Sequence, residues 1–569
     1  MEVEAILPGT GKILAALALL VLPSSVLADT WIDNVDGISV NRDGSVDRFA
    51  GMVVDEDGRI TELLDFGDRP TREIDYRVDG EGRVMVPGFI DGHAHLMGLG
   101  LGTLVLDLSG TQSLDEALSR IAAYAAAYPD RPWIIGRGWN QEIWGLGRFP
   151  TAAELDEVVS DRPVWLARVD GHAGWGNTMA LEAGGVTARS QDPVGGRIER
   201  LASGAPSGVL VDSAMPMVAG QIPPPLPEDR DLALYNAQNL LLRHGITAMA
   251  DMGTTVDDWM TIRRAGDAGW LQIRVMAYAN SINSMLLIGG PGPTQWLYDD
   301  RLRLNGVKLY LDGALGSRGA LLKQPYADDP GNRGLPLTSG TQLRNLMSRA
   351  ALDNFQTAVH AIGDAANADV LHAIEELSAD YTGDRRWRIE HAQIVDPADI
   401  ARFGQHGIIA SMQPVHQTSD RLMAEARLGE ERLDGAYAWR TILAQGGTLA
   451  FGTDAPVEPV DPLAGLAVAI SRTDGAGEPF GGWRPEETIS REQALAAYTA
   501  NAAYAGFAEG RFGRLAPGER ADFVFLSADP LLASPEQIRA IQVLETWIAG
   551  QRVFDAEMED PLIDRPHSE

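Results

Sequence analysis

The sequence contains no cysteine. This absence excludes disulfide bonds, a lipid-modified N-terminal cysteine and metal sites built on thiolates. Basic residues are also scarce, since 47 lysines and arginines stand against 79 aspartates and glutamates and give a formal net charge of −32. A chain of this charge repels phosphate groups, which argues against binding to nucleic acid and against stable association with anionic membranes.

Long hydrophobic runs are missing as well. The apolar run Ile13–Leu22 has about ten residues, which is too short to cross a bilayer. Small residues follow it up to Ala28, so residues 1–28 resemble a secretory signal peptide cleaved before Asp29. We therefore expect a periplasmic or secreted protein. Two glutamates outnumber one lysine ahead of the run, which leaves the true translation start open. If the run is not a signal, it packs on a cytoplasmic protein.

No internal repeat of about 34 or 43 residues is visible, which argues against a solenoid or a propeller. Residues 29–86 and 508–569 instead alternate short strand-like runs with turn residues such as Asp-Gly and Glu-Gly. We predict that these two ends join in one small β-sandwich and that residues 87–507 form the central domain.

Strand-like and helix-like stretches alternate through that central domain. The eight strand-like runs are Val84–Asp91, Ile246–Asp251, Gln272–Tyr278, Gly306–Asp312, Gln356–Ala361, Trp387–His391, Ile408–Gln413 and Thr448–Thr453. This pattern predicts the α/β class and a (β/α)8 TIM-like barrel. About 150 residues separate the first run from the second, too many for one crossover. We therefore predict an inserted α/β subdomain at Gly98–Asp229, over the barrel mouth.

The first run leads into a pair of histidines, His93 and His95, in the stretch VMVPGFIDGHAHL. Residues two positions apart on a strand point to the same face, so the two imidazoles can converge on one point. Neutral imidazole is a common ligand for zinc and other divalent metals. Such a pair also fits a polar loop, so the metal interpretation depends on further ligands downstream.

Four further residues lie at or near the ends of later runs: Lys308, His360, His391 and Asp454. Barrel enzymes build their active sites at the C-terminal ends of the strands. Lys308 lies between two apolar residues, and burying its ammonium is costly unless the group is paired or chemically altered. Each residue alone has an ordinary structural explanation, but together they predict a metal site. Histidine and carboxylate ligands suit zinc, and also manganese, cobalt or iron.

The sequence as a whole resembles the amidohydrolase superfamily, specifically the amidohydrolase-3 branch that includes N-substituted formamide deformylase-like enzymes. The matching segments are PGFIDGHAH, GITAMADMG, GVKLYLDGALGSRGA, VHAIGDAA, RIEHAQ, SMQPVH, FGTDAPVEPVDPL and GRLAPGERADFV. The resemblance implies a metal-bearing barrel with a composite β-sandwich. It also allows a homodimer, since barrels of this superfamily are often paired.

The resemblance further implies a ligand set for one or two divalent ions, zinc being the expected metal. His93 and His95 would bind the first ion, and His360 and His391 the second. Lys308 would be N-carboxylated and would bridge the two ions, which requires a buried, deprotonated amine.

Asp454 would contact the first ion and act as general base and then as general acid. Divalent ions acidify water and polarise a carbonyl group, so the expected activity is hydrolysis of a C–N bond in a small molecule. The expected bond is not a peptide bond but that of an amide, formamide, urea or carbamate. Two alternatives stay open: hydrolysis of an ester, lactone or phosphotriester at the same site, and a non-catalytic binding or regulatory protein on this scaffold.

Five residues are candidates for substrate binding: Trp139, His172, Ser317, Arg318 and Gln413. The two in the insertion would line the pocket, or else pack in the core of the subdomain. Ser317 and Arg318 follow the fourth run and would otherwise pair with loop carboxylates. Gln413, together with His416, would line the site from the seventh run.

Overall fold

The computed structural model describes residues 29–558. The predicted signal peptide lies outside the described residues. Among residues 29–558, no helix combines the length and the apolar character needed to cross a membrane.

The centre of the fold is an eight-stranded parallel barrel. Its strands are Phe89–Ala94, Ile246–Thr254, Arg274–Ala279, Leu302–Tyr310, Gln356–Ala361, Arg388–His391, Ile409–Met412 and Thr448–Phe451. Each strand pairs in parallel with the next one along the chain. The predicted α/β barrel is confirmed, and all eight strands overlap the runs expected from the sequence.

The first run differs from its prediction, because Val84–Asp91 is not one strand. Val84–Pro87 belongs to the sheet formed by the chain ends, and the barrel strand begins only at Phe89. Gly88 separates the two, where a Cβ atom would lie 2.3 Å from the side chain of Thr247. The close approach of neighbouring segments therefore requires glycine at the point where the chain passes between sheets.

The first and eighth strands meet at their C-terminal ends. The backbone N–H of Asp454 donates to the carbonyl of His93 at 2.7 Å, and that of Thr453 to the Asp91 carboxylate at 2.9 Å. A Cβ atom on Gly92 would lie 2.6 Å from the carbonyl oxygen of Phe451. This tight contact brings the histidine pair beside Asp454.

Helices surround the barrel and connect its strands. They are Leu96–Gly102, Pro227–Arg243, Val256–Asp267, Ile282–Gly289, Gly340–Leu352, Asp364–Asp380, Ala401–Gln405, Pro414–Leu428, Trp439–Ala444, Pro462–Ser471, Arg491–Ala497, Ala500–Ala505 and Pro535–Ala540, with short 3-10 turns at Glu430–Arg432 and Pro485–Glu487. Capping residues set where they begin. The hydroxyl of Thr255, for example, accepts from the N–H of Asp258, whose carboxylate accepts from the N–H of Thr255.

The two chain ends form one eight-stranded sheet beside the barrel. Its strands are Thr30–Val40, Val46–Val54, Ile60–Leu64, Tyr76–Asp79, Val84–Pro87, Phe523–Leu526, Val543–Ile548 and Gln551–Asp555. The junction is the antiparallel pair of Val84–Pro87 with Phe523–Leu526. The hydrogen bonds thus join both ends of the chain in a single sheet.

The chain between helices Leu96–Gly102 and Pro227–Arg243 forms a separate six-stranded sheet. Its strands are Leu106–Asp107, Ile134–Trp139, Val164–Arg168, Ala173–Gly176, Gly196–Arg200 and Pro206–Asp212. Helices Leu114–Ala127, Ala152–Asp156, Thr178–Ala183 and Pro216–Ala219 accompany it. Residues of this insertion line the cavity at the C-terminal end of the barrel.

Candidate active site

One cavity of about 950 Å³ opens at the C-terminal end of the barrel. Its lining includes His95, Lys308, His360, His391 and Asp454, which come from five barrel strands or from the segments that directly follow the strands. The sequence placed these residue types at successive strand ends, and the barrel brings them to one place.

Asp454 lies at the centre of the histidines. Its Oδ1 is 3.4 Å from Nε2 of His93 and 3.1 Å from Nε2 of His95, and its Oδ2 is 3.9 Å from Nδ1 of His391. Burial alone would raise the pKa of Asp454, but its electrostatic interaction with His93 and the hydrogen bond from His95 hold it well below its usual range. Asp454 is therefore an ionised carboxylate facing imidazole nitrogens.

A buried ion pair orients His93. The Nδ1–H of His93 donates to Glu390 Oε2 at 2.6 Å, and Arg388 donates to both oxygens of Glu390, at 2.8 and 3.1 Å. Despite burial, the charge of Arg388 and the hydrogen bond from His93 hold the pKa of Glu390 far below its usual range. A carboxylate behind Nδ1 fixes the tautomer, which leaves the lone pair of Nε2 facing Lys308 and Asp454.

Sequence reasoning missed this pair. A signal was available, because Arg388 and Glu390 alternate on a buried strand and so share one face. Two opposite charges at that spacing indicate a buried ion pair.

We predict that Glu390→Gln weakens metal binding. The variant removes the charge that fixes His93, and loss of such an outer partner typically costs about 10–100-fold in metal affinity. Competition with a chromogenic chelator measures the change. Glu375→Gln is the matched control, because Glu375 pairs with Arg402 at the surface. An unchanged dissociation constant in Glu390→Gln would refute the positioning role.

Lys308 is buried at 1% exposure, and its Nζ lies 3.1 Å from Nε2 of His93. Burial lowers its pKa to about 8. Within residues 29–558, no carboxylate oxygen lies within 4.0 Å of this amine. An amine without a counter-ion and with a lowered pKa is chemically suited to carbamate formation.

His360 and His391 complete the group. Their ring centroids are 4.6 Å apart, and burial holds the pKa of each well below its usual value. In the described part of the chain, Nε2 of His360 has no hydrogen-bond partner although it is buried. A neutral imidazole with an unused ring nitrogen is a typical metal ligand.

The residues present therefore fit a divalent ion. One ligand atom each from His93, His391 and Asp454 lie within 4.8 Å of one another. The imidazoles are neutral, the carboxylate is ionised, and this nitrogen and oxygen donor set suits zinc, manganese, cobalt or iron.

The structure separates the five candidates for substrate binding. His172 reaches the cavity from the insertion, with its ring centroid 5.4 Å from that of His360. Its Nδ1–H donates to Asp212 Oδ1 at 2.6 Å. Burial opposes the charge on His172, yet the hydrogen bond and charge of Asp212 raise its pKa to about 9. His172 is thus a cation facing the site.

Three others lie next to the site without lining the cavity. Oε1 of Gln413 is 2.9 Å from Nδ1 of His391, so Gln413 orients that imidazole. The hydroxyl of Ser317 donates to the carbonyl of Ala314. Arg318 pairs with Asp328 at 3.0 Å, which is the loop pairing considered as the alternative.

Trp139 lies in the core of the insertion and does not line the cavity. It is fully buried, and its Nε1–H donates to the carbonyl of Leu166 at 2.8 Å. Its ring centroid is 6.1 Å from that of Trp175. The indole points to the side of the sheet that packs inside the subdomain, which the sequence pattern did not reveal.

We predict opposite effects for the two insertion residues. Trp139→Ala removes a buried indole and should lower the free energy of unfolding by about 3–5 kcal/mol. His172→Ala should keep that stability and the metal content, but change the relative kcat/KM among substrates. Denaturant unfolding, metal analysis and kinetics on both variants measure these effects. Unfolding of His172→Ala, or a stable Trp139→Ala with altered selectivity, would reverse the assignment.

Comparison with known proteins identifies the family. Residues 77–554 match the family model described as "Amidohydrolase family". The chain belongs to the amidohydrolase family. This places it among the metal-dependent hydrolases and confirms the predicted resemblance to the amidohydrolase-3 branch.

Individual proteins are also similar to this chain. "Protein LONG AFTER FAR-RED 3" of Arabidopsis thaliana is 34% identical over 95% of this chain and 94% of its own length. "N-substituted formamide deformylase" of Arthrobacter pascens is 28% identical over 83% of this chain and 89% of its own. The crystal structure of an uncharacterized metal-dependent hydrolase from Pyrococcus horikoshii OT3 has a TM-score of 0.72 at 27% identity, covering 89% of this chain and 99% of that one.

Proposed function

We propose that this amidohydrolase cleaves a C–N bond other than a peptide bond, in a small amide, formamide, urea or carbamate. The observation that carries the proposal is the position of Asp454, an ionised carboxylate within 3.4 Å of two imidazole nitrogens and open to the cavity. The relative named as an N-substituted formamide deformylase supports the choice of bond.

The metal would be held by Asp454 and by the histidines and the lysine around it. The proposed ligands are His93, His95, Lys308, His360, His391 and Asp454, with Lys308 N-carboxylated and one or two ions bound, preferably zinc. When bound, such ions acidify water and polarise the substrate carbonyl.

Asp454 would move the proton. Its low pKa keeps it ionised, so it can accept a proton from the attacking water and then donate that proton to the departing nitrogen. An amine leaves poorly without protonation, which favours a site with a carboxylate at this position for C–N cleavage.

His172 would bind the substrate. As a cation lining the cavity beside His360, it can donate a hydrogen bond to an oxygen on which negative charge develops. Asp212 keeps the ring oriented for this contact.

The test compares a formamide with an ester of the same shape, N-butylformamide and butyl formate, together with metal analysis. We expect release of butylamine, loss of turnover with a chelator, and recovery with a divalent metal. Turnover of the ester alone would show an esterase. A chain that binds no metal and cleaves neither compound would be a binding or regulatory protein.

A further inference from the structure

Some of the carboxylates in the cavity wall have a lysine or arginine partner, and others do not. Three of its carboxylates have basic partners: Asp170 pairs with Arg168 at 2.5 Å, Glu142 with Arg427 at 3.0 Å and Asp258 with Arg230 at 2.6 Å. Each of these carboxylates is therefore already paired with an arginine of the protein.

Asp420 and Glu458 line the same cavity without such partners. Asp420 Oδ2 accepts from the hydroxyl of Tyr437 at 2.7 Å, and Glu458 Oε1 accepts from the hydroxyl of Ser419 at 2.5 Å. Among the residues that the structure describes, no lysine or arginine nitrogen lies within 4.0 Å of either carboxylate. Neither carboxylate therefore has a lysine or arginine partner, and the side chains that donate to them are neutral hydroxyls.

The two carboxyl groups also influence each other. Burial raises the pKa of both, and the charge of Asp420 further raises that of Glu458. Carboxylates that lose water without gaining a cation are costly in a folded protein. A positively charged ligand group between them would remove this cost.

An independent observation points to a ligand at the same wall. His416 lines the cavity, is 6% exposed, and has an Nε2 atom without a hydrogen-bond partner among the described residues. Electrostatic interaction with His416 lowers the pKa of Asp420 and of Glu458, against the effect of burial. The Nε2 of His416 is 3.7 Å from Asp454 Oδ2, so this wall adjoins the proposed reaction site.

We infer that the substrate carries a cationic group, an ammonium or amidinium type, which Asp420 and Glu458 bind. The inference rests on the proposed function only in assigning this group to the molecule whose C–N bond is cleaved. Leu422 and Met423 line the cavity beside these carboxylates and would contact an apolar stem between the cation and the reacting bond.

Equilibrium binding tests this without turnover. Titration calorimetry on the metal-loaded protein compares hexylguanidinium, which stays protonated and ligates metals poorly, with 1-hexanol. We expect the cation to bind at least about tenfold more tightly, as for a desolvated charge pair. Asp420→Asn and Glu458→Gln should each reduce that preference by about fivefold or more.

Glu142→Gln is the matched control, since it removes a cavity carboxylate that already has a partner, and it should retain the preference. Equal affinity of wild-type protein for the two ligands would overturn the inference, as would an unchanged preference in both variants. If a variant fails to fold in a thermal melt, the wild-type comparison still decides.

Two formamides separate this inference from the proposed function. One is N-hexylformamide, and the other has a terminal ammonium on the same chain. Cleavage of both with equal kcat/KM and no cation preference in binding would leave the proposed function standing without the inference. Cation preference in binding without cleavage of either compound would support the inference and contradict the proposed function.

Discussion

Replacing Lys308 by alanine is expected to remove the metal together with the activity. The amine is buried at 1% exposure and lies 3.1 Å from Nε2 of His93, in the middle of the proposed ligands. As a carbamate it would be one of the groups that hold the metal, so its loss would remove a ligand that the imidazoles cannot replace. Metal content per chain and kcat, measured on the same preparation, test the prediction.

Short carboxylic acids provide a second test. Acetate or propionate in the buffer should partly restore metal and turnover to Lys308→Ala, because a free carboxylate can occupy the space of the carbamate. Lys323→Ala is the control, since Lys323 pairs with Asp396 and Asp399 at the surface and should keep its metal. Full metal content in Lys308→Ala would end the bridging assignment.

Replacing Asp454 by asparagine is expected to have a different result. The amide keeps the size of the side chain and one oxygen near His95, so most of the metal should stay bound by the other ligands. The amide cannot accept the proton, and kcat should fall by about 10²–10⁴-fold, the usual loss for a general base. Steady-state kinetics beside metal analysis measures both quantities.

The contrast between the two variants identifies the roles. Asp434→Asn is the control for the second, because Asp434 is exposed and pairs with Arg484. Near-normal turnover in Asp454→Asn would exclude a proton-transfer role. Loss of all metal in the same variant would instead make Asp454 chiefly a ligand.

The barrel could be predicted from the sequence because its strands are buried on both faces. Such strands appear as short apolar runs between helical stretches, and the polar residues at their ends stand out for that reason. Lys308 is the clearest example, since a lysine in a buried strand needs an explanation in chemistry. Asp454 stands out for the same reason, because it is a charged residue directly after the run of the eighth strand.

The contacts made by the insertion could not be predicted in this way. Trp139 and His172 both belong to motifs rich in glycine and aromatic residues, yet one lies in the subdomain core and the other in the cavity. Which face of a sheet meets the barrel depends on packing between units far apart in sequence. The same holds for Asp420 and Glu458, whose lack of a basic partner is visible only once their neighbours are known.

The contact between the first and last barrel strands determines when the active site can exist. Asp91 and Thr453 are 362 positions apart, and their hydrogen bonds lie directly beside His93 and Asp454. During synthesis the first histidines leave the ribosome long before the final carboxylate, at about 5–20 residues per second. The complete set of proposed ligands can therefore form only after the eighth strand has docked, so metal loading would follow closure of the barrel. A truncated chain that ends before this strand would carry most of the proposed ligands and still lack a closed site.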